Sequence, residues 1–243
     1  MKKAFTLSGA THVAMQHNIR NSAFTLAEVL ITLGIIGVVA ALTMPSLIAN
    51  YRKKEIITKL KREYSVLSQA VERSKVDNGD IGGWDWSLST QSFIETYLLP
   101  YLNISKNCGT TGTDCWLPDN KVYGLDGSVR EDISGTDYYK IVLNDGTYLA
   151  PWKQDVEHMH IYIDINGAKQ PNTYGIDAFT LTLVRESFVD YAHDIEKPGL
   201  YFFGAGLART TLLSRCSKSS SGDSCGALYQ YDGWKISPDV NWK

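Results

Sequence analysis

Residues 23–49 read Ala23-Phe24-Thr25-Leu26-Ala27-Glu28-Val29-Leu30-Ile31-Thr32-Leu33-Gly34-Ile35-Ile36-Gly37-Val38-Val39-Ala40-Ala41-Leu42-Thr43-Met44-Pro45-Ser46-Leu47-Ile48-Ala49. From Val29 to Ala49 there is no charged residue. A helix of that length rises about 31 Å at about 1.5 Å per residue, which matches a bilayer core of about 30 Å. The stretch therefore predicts a membrane-crossing helix. Glu28 stands at its N-terminal edge, where a carboxylate costs less than the about 2.5–3.5 kcal/mol it would cost near the centre. A plain anchor has no use for that acid. Gly34 and Gly37 permit close approach of a second helix, and Pro45 removes one helical hydrogen bond.

Downstream, Ile57, Leu60, Tyr64, Leu67 and Val71 recur at three and four residues. This is the stripe of an amphipathic helix that continues the first one over 50–78 and ends at Asn78-Gly79-Asp80. A second short helix is expected from Gln91 to Leu99, stopped by Pro100. Hairpins follow. Tyr138–Leu143 and Thr147–Trp152 flank the turn signal Asn144-Asp145-Gly146. His158–Ile165 alternates, with Met159, Ile161, Ile163 and Ile165 on one face and His158, His160, Tyr162 and Asp164 on the other, which reads as the solvated side. Asn166-Gly167 is the next turn and Phe179–Val184 the next strand. The fold class is α+β: a long N-terminal helix packed on a head, residues 79–243, with an antiparallel sheet. Ser217–Asp223 reads as an exposed loop tip, and Asp232-Gly233-Trp234-Lys235 as a closing turn whose Trp seals the core.

The chain has 243 residues, 44% of them hydrophobic, and a formal charge of −2. Lys2, Lys3 and Arg20 are the only charges before Phe24, so the chain from Phe24 onward holds 21 basic and 26 acidic residues, a net of −5. Binding to a phosphate backbone needs a clustered positive surface, and no nucleic acid is expected as a partner. The four cysteines form two close pairs, Cys108 with Cys115 and Cys216 with Cys225, in stretches rich in Gly, Ser, Thr and Asp. Proximity suggests two small surface disulfide loops in an oxidising compartment, although four cysteines allow three pairings. Four free thiols are the competing reading. A zinc site is disfavoured, because neither pair has the two-residue spacing of a zinc knuckle.

Ala23-Phe24-Thr25-Leu26-Ala27-Glu28 and the apolar run behind it resemble the prepilin N-terminal segment: a small residue, Phe-Thr-Leu-x-Glu, then about twenty apolar residues. The resemblance to type IV pilins and type II secretion pseudopilins covers about 35 residues, and Pro45 lies where that family often has a proline. It implies a leader over 1–23 and an assembly and membrane helix over 24–49. A prepilin peptidase would cut between Ala23 and Phe24 and methylate the new amine. Glu28 would pair with the N-terminal amine of a neighbouring subunit, which offsets a buried charge and sets the register of assembly. Ala23 stands where glycine is commonest in the family. Met15 would open a leader of ordinary length, and the echo Ala4-Phe5-Thr6-Leu7 has Gly9 in place of the acid.

Several consequences follow from the resemblance. The chain is expected to be a structural subunit, a minor one by the size of its head, and not an enzyme. Its partners would be other pilin or pseudopilin subunits, the peptidase, an inner-membrane assembly platform and membrane lipid. It would sit in a bacterial inner membrane as a single-pass protein, with the head periplasmic or extracellular. Arg52, Lys53 and Lys54 follow the span and by charge alone would hold that side in the cytoplasm; the cysteines and the resemblance argue for the opposite orientation. Competing readings are a secretory signal cut near Val39-Ala40-Ala41, a simple anchor, a membrane-anchored binding protein whose six Trp and fourteen Tyr form a ligand or sugar surface, and a secreted hydrolase.

No cofactor is implied. Some secretion pseudopilins bind calcium in a loop of the head, and Asp164, Asn166 and Asp177, with Asn172, gather oxygen ligands around one loop. Their spacing is not the twelve-residue helix-loop-helix pattern, and hairpin turns use the same residues for backbone reasons. His158 and His160, two apart on a strand, are a weaker metal pair.

Overall fold

The apolar run from Leu26, despite its glycines and β-branched residues, and the amphipathic stripe behind it form one helix, α1 (Leu26–Asn78), that continues through Pro45. It ends where Gly79, at φ +78°, adopts a left-handed conformation that costs a glycine nothing. The computed structural model describes residues 25–116, 118–190 and 193–241. Two compact units divide the chain between Leu47 and Ile48, within α1. In the first unit the described residues are helical from Leu26, and none of them is buried. Leu30, Ile31, Ile35, Ile36, Val39 and Leu42 all lie exposed. Among the described residues this is the one helix long and apolar enough to cross a membrane.

The second unit is built around the remainder of α1, whose stripe behaves as its period demands. Ile57, Leu60, Leu67 and Val71 are buried, and half-buried Tyr64 stacks on Phe202 at 5.2 Å between ring centres. After α1 come a short 3₁₀ turn (Ile81–Gly83) and α2 (Thr90–Tyr97), capped by Ser89, whose side chain accepts from the Ser92 N–H. Pro100 lies inside a second 3₁₀ turn (Leu99–Tyr101), so the chain tightens there instead of simply breaking.

The strands are β1 (Ile104–Gly109), β2 (Lys121–Tyr123), β3 (Val129–Asp132), β4 (Lys140–Leu143), β5 (Tyr148–Lys153), β6 (His158–Asp164), β7 (Ala178–Val184), β8 (Phe188–Val189), β9 (Asp194–Ile195) and β10 (Gly199–Phe202). Helices α3 (Arg209–Arg215) and α4 (Cys225–Tyr231) follow. Six strands form an antiparallel sheet in the order β1-β4-β5-β6-β7-β10, while β2 pairs with β3 and β8 with β9.

The inner face of the sheet carries Ile141, Leu149, Met159, Ile161, Ile163, Leu181 and Leu183, which join Leu60, Leu67 and Val71 of α1 and Phe93 and Ile94 of α2 in the main core. The outer face is not solvated, which corrects the expectation for β6. Tyr148, Ala150, Tyr162 and Ala178 pack there under Trp116, Val122 and Ile133, and every residue of β6 is buried. The small β2–β3 hairpin and the turns around it form this second layer, so alternation along β6 separates two interiors and not inside from outside.

Arg209 fastens the C-terminal segment. Its guanidinium donates to both oxygens of Asp232 at 2.6 and 2.8 Å and to Asp239 at 2.9 and 3.1 Å, an arrangement suited to its planar fork. Trp234 is half-buried against Tyr64 and Phe202, with the Lys61 ammonium 5.7 Å above its ring. It closes one edge of the main core, as its position in the sequence suggested.

Candidate functional site

Thr25 and Glu28 form a reciprocal cap at the start of α1. The Thr25 N–H and hydroxyl donate to Glu28 Oε2 at 2.8 and 2.7 Å, and the Glu28 N–H donates to Thr25 Oγ1 at 3.2 Å. This is the Ser/Thr-x-x-Glu capping box, which satisfies helix N–H groups that have no partner inside the helix. The acid that puzzles as part of an anchor thus has a local role, and its carboxylate has a partner within its own chain. Ala23 and Phe24, the expected cleavage pair, lie outside the described residues. Pro45 lies inside α1.

The cysteines join as Cys108–Cys115 and Cys216–Cys225, and no free cysteine remains. Only the first closes a surface loop. Cys216 and Cys225 are fully buried, linking the end of α3 to the start of α4. Gly175 lets this happen: at φ +78°, an added Cβ there would stand 2.5 Å from Cys225 Sγ. The loop between these cysteines is only partly a loop tip. Lys218 and Ser219 are exposed, but Gly222 is buried against Leu125.

Asp164, Asn166, Asn172 and Asp177 converge on the β6–β7 connection. Asp164 Oδ1 accepts the N–H groups of Asn166 and Gly167 at 2.9 and 3.0 Å. Asp177 accepts from the Asn172 and Thr173 N–H groups and from the Asn166 side-chain amide at 3.1, 2.6 and 2.8 Å. These bonds are turn-forming. Asp164 Oδ2 and Asn166 Oδ1 are buried without a hydrogen-bond partner. Burial, and then the neighbouring Asp177 charge, push the Asp164 carboxyl up to about 8. Among the described residues no group of three or more His, Cys, Asp or Glu side chains could hold a metal. A cation here would therefore rely on two carboxylates and amide oxygens, which is chemistry for a hard ion such as calcium.

The histidines do not form the metal pair that their spacing allowed. His158 Nε2 lies 3.2 Å from Gln154 Oε1. Thr182 Oγ1 lies 3.2 Å from both His160 Nδ1 and His193 Nε2, and His193 Nδ1 lies 3.0 Å from Asp190 Oδ1. Within the pair, the His158 nitrogens engage Gln154 and Asp155 while His160 Nδ1 engages Thr182. Burial, then the charges His158 and His193 would carry, hold His160 down to about 3, so it is neutral.

The sequence reading passes over two fully buried charges. Glu63 is fastened by Arg62, which also pairs with Asp145 in the β4–β5 turn. Lys140 donates to the carbonyls of Ile133 and Gly135, both at 3.2 Å. Neither carried a signal, because each occupies a position where an outward-facing charge is ordinary.

Residues 18–44 match the prokaryotic N-terminal methylation motif. Residues 46–243 match the family of unknown function DUF6613. No curated protein and no solved structure matches the chain. The motif, the apolar α1 and the two disulfides describe a membrane-anchored, extracytoplasmic protein of a structural kind. The chain is a pilin-like protein with a prepilin-type methylation segment, and over 46–243 it belongs to the family of unknown function DUF6613.

Proposed function

We propose that this chain is a minor filament subunit of a type IV pilus or a type II secretion pseudopilus. The observation that carries the reading is the first unit: an all-round apolar helix whose one acid, Glu28, sits in its first turn. A helix apolar on every side needs lipid or other helices around it. In this account the peptidase cuts between Ala23 and Phe24, methylates Phe24, and leaves the subunit in the inner membrane with residues 79–243 as an extracytoplasmic head. On assembly the helix moves from lipid into a bundle of like helices on the platform. There the amine of a neighbouring Phe24 replaces Thr25 as the partner of Glu28. Pro45 weakens the helix locally, so that it adapts to the bundle. The head, residues 79–243, favours a minor role by its size.

N-terminal sequencing of the membrane-bound mature protein tests this. In cells carrying a prepilin peptidase the expected first residue is N-methylated Phe24; an intact leader, or a start at Leu42, contradicts it.

The loop of Asp164, Asn166 and Asp177 is proposed as a site for calcium. The orphaned Asp164 Oδ2 and Asn166 Oδ1 support it.

A further inference from the structure

On the outer face of the sheet, β5, β6 and β7 bring two cross-strand rows together: Trp152–His160–Thr182 and Ala150–Tyr162–Thr180. Trp152, His160, Tyr162 and Thr180 from these rows line the floor of a cavity of about 300 Å³. That is the low end of ligand pockets, about 300–1,000 Å³. Arg130 and Glu131 of β3 form one wall, and Ser221 and Asp223, inside the second disulfide loop, form another. The site therefore depends on the layer that covers the outer face, and it lies wholly within the second unit.

We infer that this cavity binds a neutral sugar ring. The floor combines half-buried Trp152 with groups that both donate and accept: the hydroxyl of Tyr162, bonded to Glu131, the hydroxyl of Thr180, which donates to Tyr174 at 3.3 Å and can still accept, and the imidazole of His160. A sugar hydroxyl also does both, so amphoteric partners suit it better than they suit a fixed charge. Thr182 engages His160 Nδ1, which leaves Nε2 for the cavity. The face of an aromatic ring is its negative side, and the C–H face of a sugar is its complement.

The charges argue against other ligands. Arg130 is paired with Asp126, and Asp223 already accepts from Ser221 and Ser224 at 2.6 and 2.9 Å. Tyr138 donates to Glu131 at 3.1 Å, and burial raises the Glu131 carboxyl above its ordinary range. An anion would face the carboxylates of Glu131 and Asp223, whereas a sugar hydroxyl can donate to Glu131; with both carboxylates already accepting from neighbouring hydroxyls, neither is left bare for a cation.

The test is saturation-transfer NMR on the full-length mature protein in a detergent without a sugar headgroup. The neutral probes are D-glucose, D-galactose, D-mannose and N-acetyl-D-glucosamine; D-glucosamine and D-glucuronate are the charged ones. At least one neutral probe should give saturable binding, weakened about ten-fold or more by Trp152→Ala and by Glu131→Gln, as loss of a central anchor or a charge-assisted hydrogen bond does. Lys218→Ala, on the exposed part of the neighbouring loop, should leave it unchanged. Glu131→Gln preserves shape, so it keeps the test decisive if Trp152→Ala fails to fold. No saturable binding by any neutral probe, tighter binding of glucosamine or glucuronate, or wild-type affinity in Glu131→Gln would each overturn the inference.

Discussion

Asp164 is buried with one oxygen unpartnered, and such a carboxyl has to be kept neutral, by a proton or by a cation. The two leave different signatures. With its folded-state affinity for a proton raised, Asp164 contributes stability that is complete below the unfolded carboxyl range, about 3.9, and is lost as pH rises through about 8. In chelator, Asp164→Asn should therefore raise the melting temperature by several degrees at pH 9 and by less at pH 5, since about 1 kcal/mol moves a domain of this size by about 2–4 °C. Millimolar calcium should raise the melting temperature of the wild type and leave Asp164→Asn unmoved. A wild type indifferent to calcium would remove the cation reading and leave the proton. The residues of this loop were legible in the sequence. Their burial was not, because Asp and Asn beside a glycine are equally the signature of an open hairpin turn.

Among the elements, α1 and the hairpins β4–β5 and β6–β7 were legible because each carries its own period and a turn signal. β1, β10, α3 and α4 were not: they are short, and their partners are distant in sequence, as with β10 against β7. The second layer was missed for another reason. Alternation reports that the two faces of β6 differ, but it does not say whether the polar face meets water or a buried polar network like that of His160, Thr182 and His193.

The disulfides differ at this scale too. Loops of seven and nine residues each contribute about 2–3 kcal/mol through the unfolded chain. Cys216–Cys225 additionally fills a buried junction between α3 and α4 beside Tyr229. The double variant Cys216→Ala/Cys225→Ala should therefore lower the melting temperature more than Cys108→Ala/Cys115→Ala does, because it empties two fully buried positions where the other empties only that of Cys115. Equal losses would mean that the buried pair acts through the unfolded state alone.

For the whole molecule, the two units answer to different solvents. The second has its own core and can be disturbed by a cavity or an orphaned charge; the first has no buried residue among those described, and its helix side chains await lipid or other helices. Glu28 belongs to the first. In the lone subunit Thr25 satisfies its carboxylate, so replacing it orphans nothing in the core of the second unit. In a filament it would lie in an apolar bundle, where a neighbour's amine offsets its charge.

The most direct test is Glu28→Ala in the full-length protein, scored by immunoblot of sheared filaments alongside membrane insertion and leader cleavage. The account predicts normal insertion, normal cleavage, an unchanged melting temperature for the second unit and a sharp fall in filament incorporation. Incorporation at the wild-type level would contradict it, because the acid would then serve only as a helix cap.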